Sequence, residues 1–200
     1  TNAYKFAGFA MDPFYNHMSV VAAAGAASAT QVSGGGATFG LSGASNGFTN
    51  NALQYTSNKI GDIKVNVGLY IDDTNADEHG MGFGAEYNKS GVKAGIRFAS
   101  NGTTVPLPGI AADGDAVRLY GSYTSGPMTV AASYETVDLT ATTDTDYIFL
   151  VGKYKISDKT RVAATLGMVG DQNAQEGTGI TAGVFQTVAP KTELFASMST

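Results

Sequence analysis

Through most of this chain apolar and polar side chains alternate with a period of two, the signature of an extended strand whose two faces meet different surroundings. In 62–70, Ile63, Val65, Val67 and Leu69 oppose Asp62, Lys64, Asn66 and Gly68. In 91–98, Val92, Ala94, Ile96 and Phe98 oppose Lys93, Gly95 and Arg97. The pattern recurs with Phe83, Ala85 and Tyr87 against Gly82, Gly84, Glu86 and Asn88, with Val117 and Leu119 around Arg118, and with Val162, Ala164, Leu166 and Met168 against Arg161, Ala163 and Thr165. Ten strands are predicted at about 52–57, 62–71, 81–88, 92–99, 116–124, 128–137, 146–155, 160–169, 178–188 and 192–199. An eleventh is predicted at about 2–10.

The connections alternate in length. Short turns fall near 58–61, 89–91, 125–127, 157–159 and 189–190, and longer loops at about 72–80, 100–115, 138–145 and 170–177. That rhythm is expected of an antiparallel up-and-down transmembrane β-barrel, with tight turns on one rim and loops on the other. The longer loops are acidic, carrying Asp72, Asp73, Asp77 and Glu78, then Asp113 and Asp115, then Asp138 and Asp144, then Asp171 and Glu176. All five prolines avoid the predicted strand interiors, as a hydrogen-bonded ladder requires.

Composition agrees with a wall that has lipid on one side. Charged residues make up 14% of the chain, against about 25% in a soluble domain, and glycine is abundant at 26 residues. No run of about 18 apolar residues is present, so no membrane helix is expected. A soluble β-sandwich also alternates, but it fills its apolar face with bulky side chains. Here that face carries Ala and Val, with Tyr87, Phe98, Tyr123 and Tyr134 placed like an aromatic girdle. Cysteine is absent, which excludes a disulfide framework and thiolate metal sites. A net charge of −5 argues against nucleic acid as a partner.

Residues 11–51 break the rhythm. They contain Asp12-Pro13-Phe14-Tyr15, an Ala-rich apolar piece at 18–29, and two Gly-rich stretches at 34–36 and 42–47. A connection of some 40 residues far exceeds a hairpin loop, and such loops are usually functional or disordered.

The run Met11-Asp-Pro-Phe-Tyr-Asn16, the long Gly-rich loop after it, and then Asn51-Ala-Leu-Gln-Tyr-Thr-Ser57 with Gly61 resemble the Gram-negative general porins of proteobacteria. Tyr154-Lys-Ile-Ser-Asp-Lys-Thr160 and Lys191-Thr-Glu-Leu-Phe195 resemble a recurring turn element of the same family. The resemblance implies a barrel of about 16 strands, in which 11–51 is the loop that folds into the pore and narrows it, with Asp12, Pro13, Phe14 and Tyr15 at the constriction. It implies residence in the outer membrane of a Gram-negative bacterium, contact with lipid and lipopolysaccharide, assembly as a homotrimer, and passage of small hydrophilic solutes and ions. It also implies that 1–200, a single barrel domain, is an incomplete piece of a longer chain, lacking N-terminal strands and the closing C-terminal strand.

Catalytic chemistry has no visible carrier. His17 and His79 are isolated from each other and from any Ser/His/Asp-type set, the Gly80–Gly84 glycines do not precede a helix as a phosphate loop would, and the acidic loops lack an EF-hand spacing. No cofactor, metal or catalytic residue is expected. By parity, Lys64, Lys93, Arg97, Arg118, Lys153 and Arg161 face inward together with the acids Glu86 and Glu135, and charge lining a pore sets ion selectivity. With Asp12 as the clear acid of the long loop, a mild anion preference is the expectation. Two other readings stay open: a barrel acting as adhesin, receptor or structural surface protein through its acidic loops, and a soluble β-rich binding module.

Overall fold

The computed structural model of the chain describes residues 51–71, 79–103, 110–140, 142–170 and 177–200. Ten strands follow one another: β1 (Ala52–Thr56), β2 (Ile63–Ile71), β3 (His79–Lys89), β4 (Val92–Ser100), β5 (Asp115–Ser125), β6 (Met128–Thr140), β7 (Thr143–Lys155), β8 (Thr160–Val169), β9 (Gly177–Ala189) and β10 (Thr192–Ser199). They form one sheet in sequence order, β1 to β10, and every neighbouring pair is antiparallel. This is the up-and-down meander that the alternating turns predict. The strand expected at 2–10 and the loop expected at 11–51 lie outside the described residues.

The tight rim is built by turns suited to the strand twist. Between β3 and β4 only Ser90 and Gly91 intervene, at φ 51° and 82°. A two-residue hairpin with both central residues at positive φ follows the right-handed twist of its strands. A Cβ at Gly91 would also overlap the Thr124 carbonyl, so the position needs glycine twice over.

The rim of longer connections differs from expectation at one place. Instead of a loop over 138–145, β6 and β7 run on until two residues separate them. The Thr-rich sequence there is a good ladder former, and the pairing continues through Asp138↔Asp144 to Thr140↔Thr143 with a bulge between. Asp138 becomes an anchor for the neighbouring connection, its carboxylate accepting from the Asp115 amide (2.8 Å) and its carbonyl from the Ala111 amide (2.7 Å). Asn101 adds to that tether, donating through Nδ2 to the carbonyls of Ile110 (2.9 Å) and Ala111 (3.2 Å).

The two faces of the sheet are inverted relative to a soluble protein. One face exposes Leu53, Val67, Met81, Phe83, Ile96, Leu119, Val130, Leu150, Ile180 and Val184. The other buries Arg97, Arg118, Glu135, Ser133, Thr145, Thr165 and Thr181. An exposed apolar face of this extent is costly in water and favourable in hydrocarbon. The buried face is not wholly polar, however. Tyr70, Ala99, Ala116, Val137, Tyr147 and Val169 form an apolar patch at its loop end, and Ile110 from the β4–β5 connection packs into it. Among the described residues β1 and β10 flank the sheet with one neighbour each. In a bilayer both edges require partners, because an unpaired ladder there leaves backbone groups unsatisfied.

Candidate pore-facing wall

The register converts parity into rows. Across β3 to β7 one row reads Gly84, Arg97, Arg118, Glu135, Tyr147, each residue paired with the next. The adjacent row, one step toward the tight turns, reads Lys64, Glu86, Gly95, Tyr120, Ser133, Phe149 across β2 to β7. Lys64, Glu86, Lys93, Arg97, Arg118, Lys153 and Arg161 all stand on this inner face, as their parity predicts. Asp12, Pro13, Phe14 and Tyr15 lie outside the described residues.

Arg97 and Arg118 are directly opposed across β4 and β5, an arrangement that repels, and both are almost fully buried at 5% and 0% exposure. Such a pair survives when counter-charges and hydrogen bonds surround it. On the β3 side, Arg97 Nη2 lies 3.9 Å from Glu86 Oε2, and Lys93 Nζ lies 3.6 Å from Glu86 Oε1. On the β6 side, Arg118 Nη2 donates to Ser133 Oγ at 3.0 Å, and Glu135, 1% exposed, stands directly across the ladder from Arg118. Tyr120 closes the group: its hydroxyl donates to Glu86 Oε2 (2.8 Å), and the Arg97 guanidinium lies 5.5 Å from its ring centroid.

Inner-face glycines make this packing feasible. A Cβ at Gly95 would overlap Tyr120 Cζ and Oη, and one at Gly84 would overlap the Arg97 side chain. The ring and the guanidinium therefore lie flat along the wall over neighbouring strands. Tyr70 lies the same way over Gly68 and Gly82.

Further toward the tight turns the wall carries Lys153, Lys155 and Arg161. Arg161 Nη2 donates to Glu193 Oε1 at 2.8 Å, and its Cζ stands 3.8 Å from the Phe185 ring centroid. Phe195 stacks behind Phe185 at 6.2 Å. Parity alone does not find Tyr120, Ser133, Glu193 or Phe185 as members of these groups. The row pairing does, once the turn lengths fix the register.

The outer surface of the same strands carries two shallow apolar grooves. One, of about 740 Å³, is floored by the small residues Ala85, Ala94, Gly121 and Ala132 between Tyr87, Leu119 and Tyr134. The other, of about 560 Å³, is floored by Gly152, Ala164 and Ala182. Both are lined mainly by small and apolar side chains of the exposed face.

Comparison with known proteins agrees with this architecture. Solved structures of OmpT, an outer membrane protein of Vibrio cholerae, match in fold. A loop-deletion mutant matches with a TM-score of 0.59 and 18% identity over 76% of this chain and 57% of that one. The protein expressed in the outer membrane matches at 0.58 and 20% identity, over 76% and 54%. The form folded in vitro matches at 0.58 and 18% identity, over 74% and 52%. The chain thus spans little more than half the length of these structures. Comparison with curated protein sequences finds no match. The Gram-negative porin family matches over residues 5–200. With that match over nearly the whole sequence, on a sheet that turns its apolar face outward, the chain is an outer-membrane β-barrel protein and belongs to the Gram-negative porin family.

Proposed function

We propose that this chain forms most of the wall of a passive diffusion channel for small hydrophilic solutes and ions, mildly favouring anions, in a protein that assembles as a homotrimer among outer-membrane lipid and lipopolysaccharide. The observation that carries the reading is the position of the charge. Lys64, Glu86, Lys93, Arg97, Arg118, Glu135, Lys153 and Arg161 all stand on the face opposite the apolar one, and several of them are held in pairs. Charge on the inner face of a barrel acts on whatever passes through it. The six predicted cations outnumber Glu86, Glu135 and Glu193, so the described wall is net basic, which supports the anion preference.

The full-length native protein, reconstituted in a planar bilayer under a potassium chloride gradient, tests the reading. Stable open steps with a reversal potential of the sign set by chloride are expected. Well-folded, inserted protein that shows no steps would refute the channel and favour a receptor or adhesin working through the acidic loop rim.

A further inference from the structure

Charge compensation differs along the inner wall. In the group around Arg97 and Arg118, Lys64, Lys93 and Arg97 face Glu86, Arg118 faces Glu135, and both guanidiniums are buried. Nearer the tight turns stand Lys153, Lys155 and Arg161, of which Arg161 pairs with Glu193 on β10. The other charges nearby are Asp158 and Lys159, adjacent in the exposed turn between β7 and β8, and they cancel. Lys155 and Arg161 are directly opposed in register, and Lys153 stands two residues along on the same face. Arg161 is close enough to Lys153 for their charges to repel.

A fold gains nothing from three clustered cations, since like charges across a ladder destabilise it. An anionic visitor turns the same arrangement into an attraction. Arg161 is fixed for that purpose by Glu193 on one side and the Phe185 ring beneath, yet its side chain stays 30% exposed. A guanidinium so held presents its remaining N–H groups in a set plane, while the lysines add compact point charges.

Resting on the channel reading, we propose that Lys153, Lys155 and Arg161 form an anion-binding station near the short-turn mouth, selective for small multivalent oxyanions such as phosphate and phosphorylated or polycarboxylate solutes. By the usual placement of short turns in such barrels, this mouth opens to the periplasm. Lys155 is exposed and Arg161 partly so, whereas the buried Arg97 and Arg118 hold strands together. Binding there concentrates oxyanions at the exit and lets them compete with chloride.

The test uses the full-length native protein and the double variant Lys153→Gln/Lys155→Gln, which leaves Arg161 and its packing in place. In planar bilayers at about 0.1 M salt the chloride-to-potassium permeability ratio is expected to fall about two- to fourfold in the variant, and the difference to vanish near 1 M, where the Debye length shrinks to about 3 Å. Inorganic phosphate is expected to reduce chloride current through the native channel, more effectively from the short-turn side, and to lose that effect in the variant. Channels with unchanged permeability ratio and unchanged phosphate sensitivity would overturn the station while leaving the channel intact. Phosphorus NMR line broadening of phosphate by the native barrel in detergent, lost in the double variant, reads the site without any conductance. Broadening without channels would refute the pore and keep the site, and neither broadening nor block would refute the site.

Discussion

Glycine in a strand interior usually weakens it, and replacing it with alanine recovers about 0.5–1 kcal/mol. Gly95→Ala is expected to do the opposite. The new methyl would stand 2.7 Å from Tyr120 Cε1 and overlap Cζ and Oη, where ordinary contact needs about 3.5–4.0 Å. The ring must move by an ångström or more, and it is held on three sides: its hydroxyl donates to Glu86 at 2.8 Å, Arg97 lies beside its face, and Phe149 and Val151 pack with it. Overpacking costs about 1–3 kcal/mol, and loss of a hydrogen bond to a carboxylate about 1.5–3 kcal/mol. Against the gain from removing glycine, a net loss of about 2 kcal/mol or more remains. Urea unfolding of the full-length barrel in lipid vesicles, read as the change in midpoint at constant slope, measures it. In a Tyr120→Ala background the obstacle is gone, so the same substitution is expected to be neutral or stabilising, and the double-mutant cycle isolates the contact. Gly152→Ala, where nothing lies within 4 Å of the added atom, serves as control and is expected to change stability by less than about 1 kcal/mol. A Gly95→Ala barrel as stable as the parent would refute the idea that inner-face glycines seat large neighbours.

Three further substitutions probe separate parts of the wall. Glu135→Gln removes a buried carboxylate opposite Arg118 and is expected to cost about 3 kcal/mol or more of unfolding free energy, measured by the same urea titration. Leu119→Arg places a cation on the lipid-facing side of β5, where Leu119 is 50% exposed, and is expected to cost about 2–4 kcal/mol with no change in ion selectivity. Asn101→Ala removes both side-chain hydrogen bonds that tie down the β4–β5 connection. At about 1 kcal/mol each, their loss is expected to speed proteolytic cleavage within 101–114 about tenfold or more, provided cleavage follows local opening.

The strands were legible because period-two alternation needs no knowledge of partners. Ile63 to Leu69 and Val92 to Phe98 declare their faces locally, and the Ser90-Gly91 turn closes the hairpin that pairs two such runs. The 138–145 segment misled because acidic and threonine residues suit both loops and ladders. Pairing between Asp138 and Asp144 became visible only with both strands in place. The inward placement of Arg97 and Arg118 was readable, but their burial was not. It depends on Glu86, two strands' pairing away from Arg118, and on Ser133 and Glu135 reached through a third strand. Tyr120 looks by composition like another girdle aromatic, and only the row pairing joins it to Glu86 and Arg97.

The abundance of glycine follows from the same geometry. A channel wall must carry side chains large enough to hold charge, yet an arginine or tyrosine that projects inward fills the space it lines. Laying Arg97 over Gly84 and Tyr120 over Gly95 solves both demands, because a strand 4.7–4.9 Å away offers a flat seat only where it lacks a Cβ. The register sets Arg97 directly opposite Arg118, and the fold answers with Glu86 and Glu135. At the group of Lys153, Lys155 and Arg161 the neighbouring carboxylate, Glu193, pairs with Arg161. The wall thus carries a buried belt in which glycine seats and carboxylates act together, and a mouth where Glu193 meets Arg161. Moving a glycine, rather than moving a charge, is the substitution that should redistribute the field along the pore.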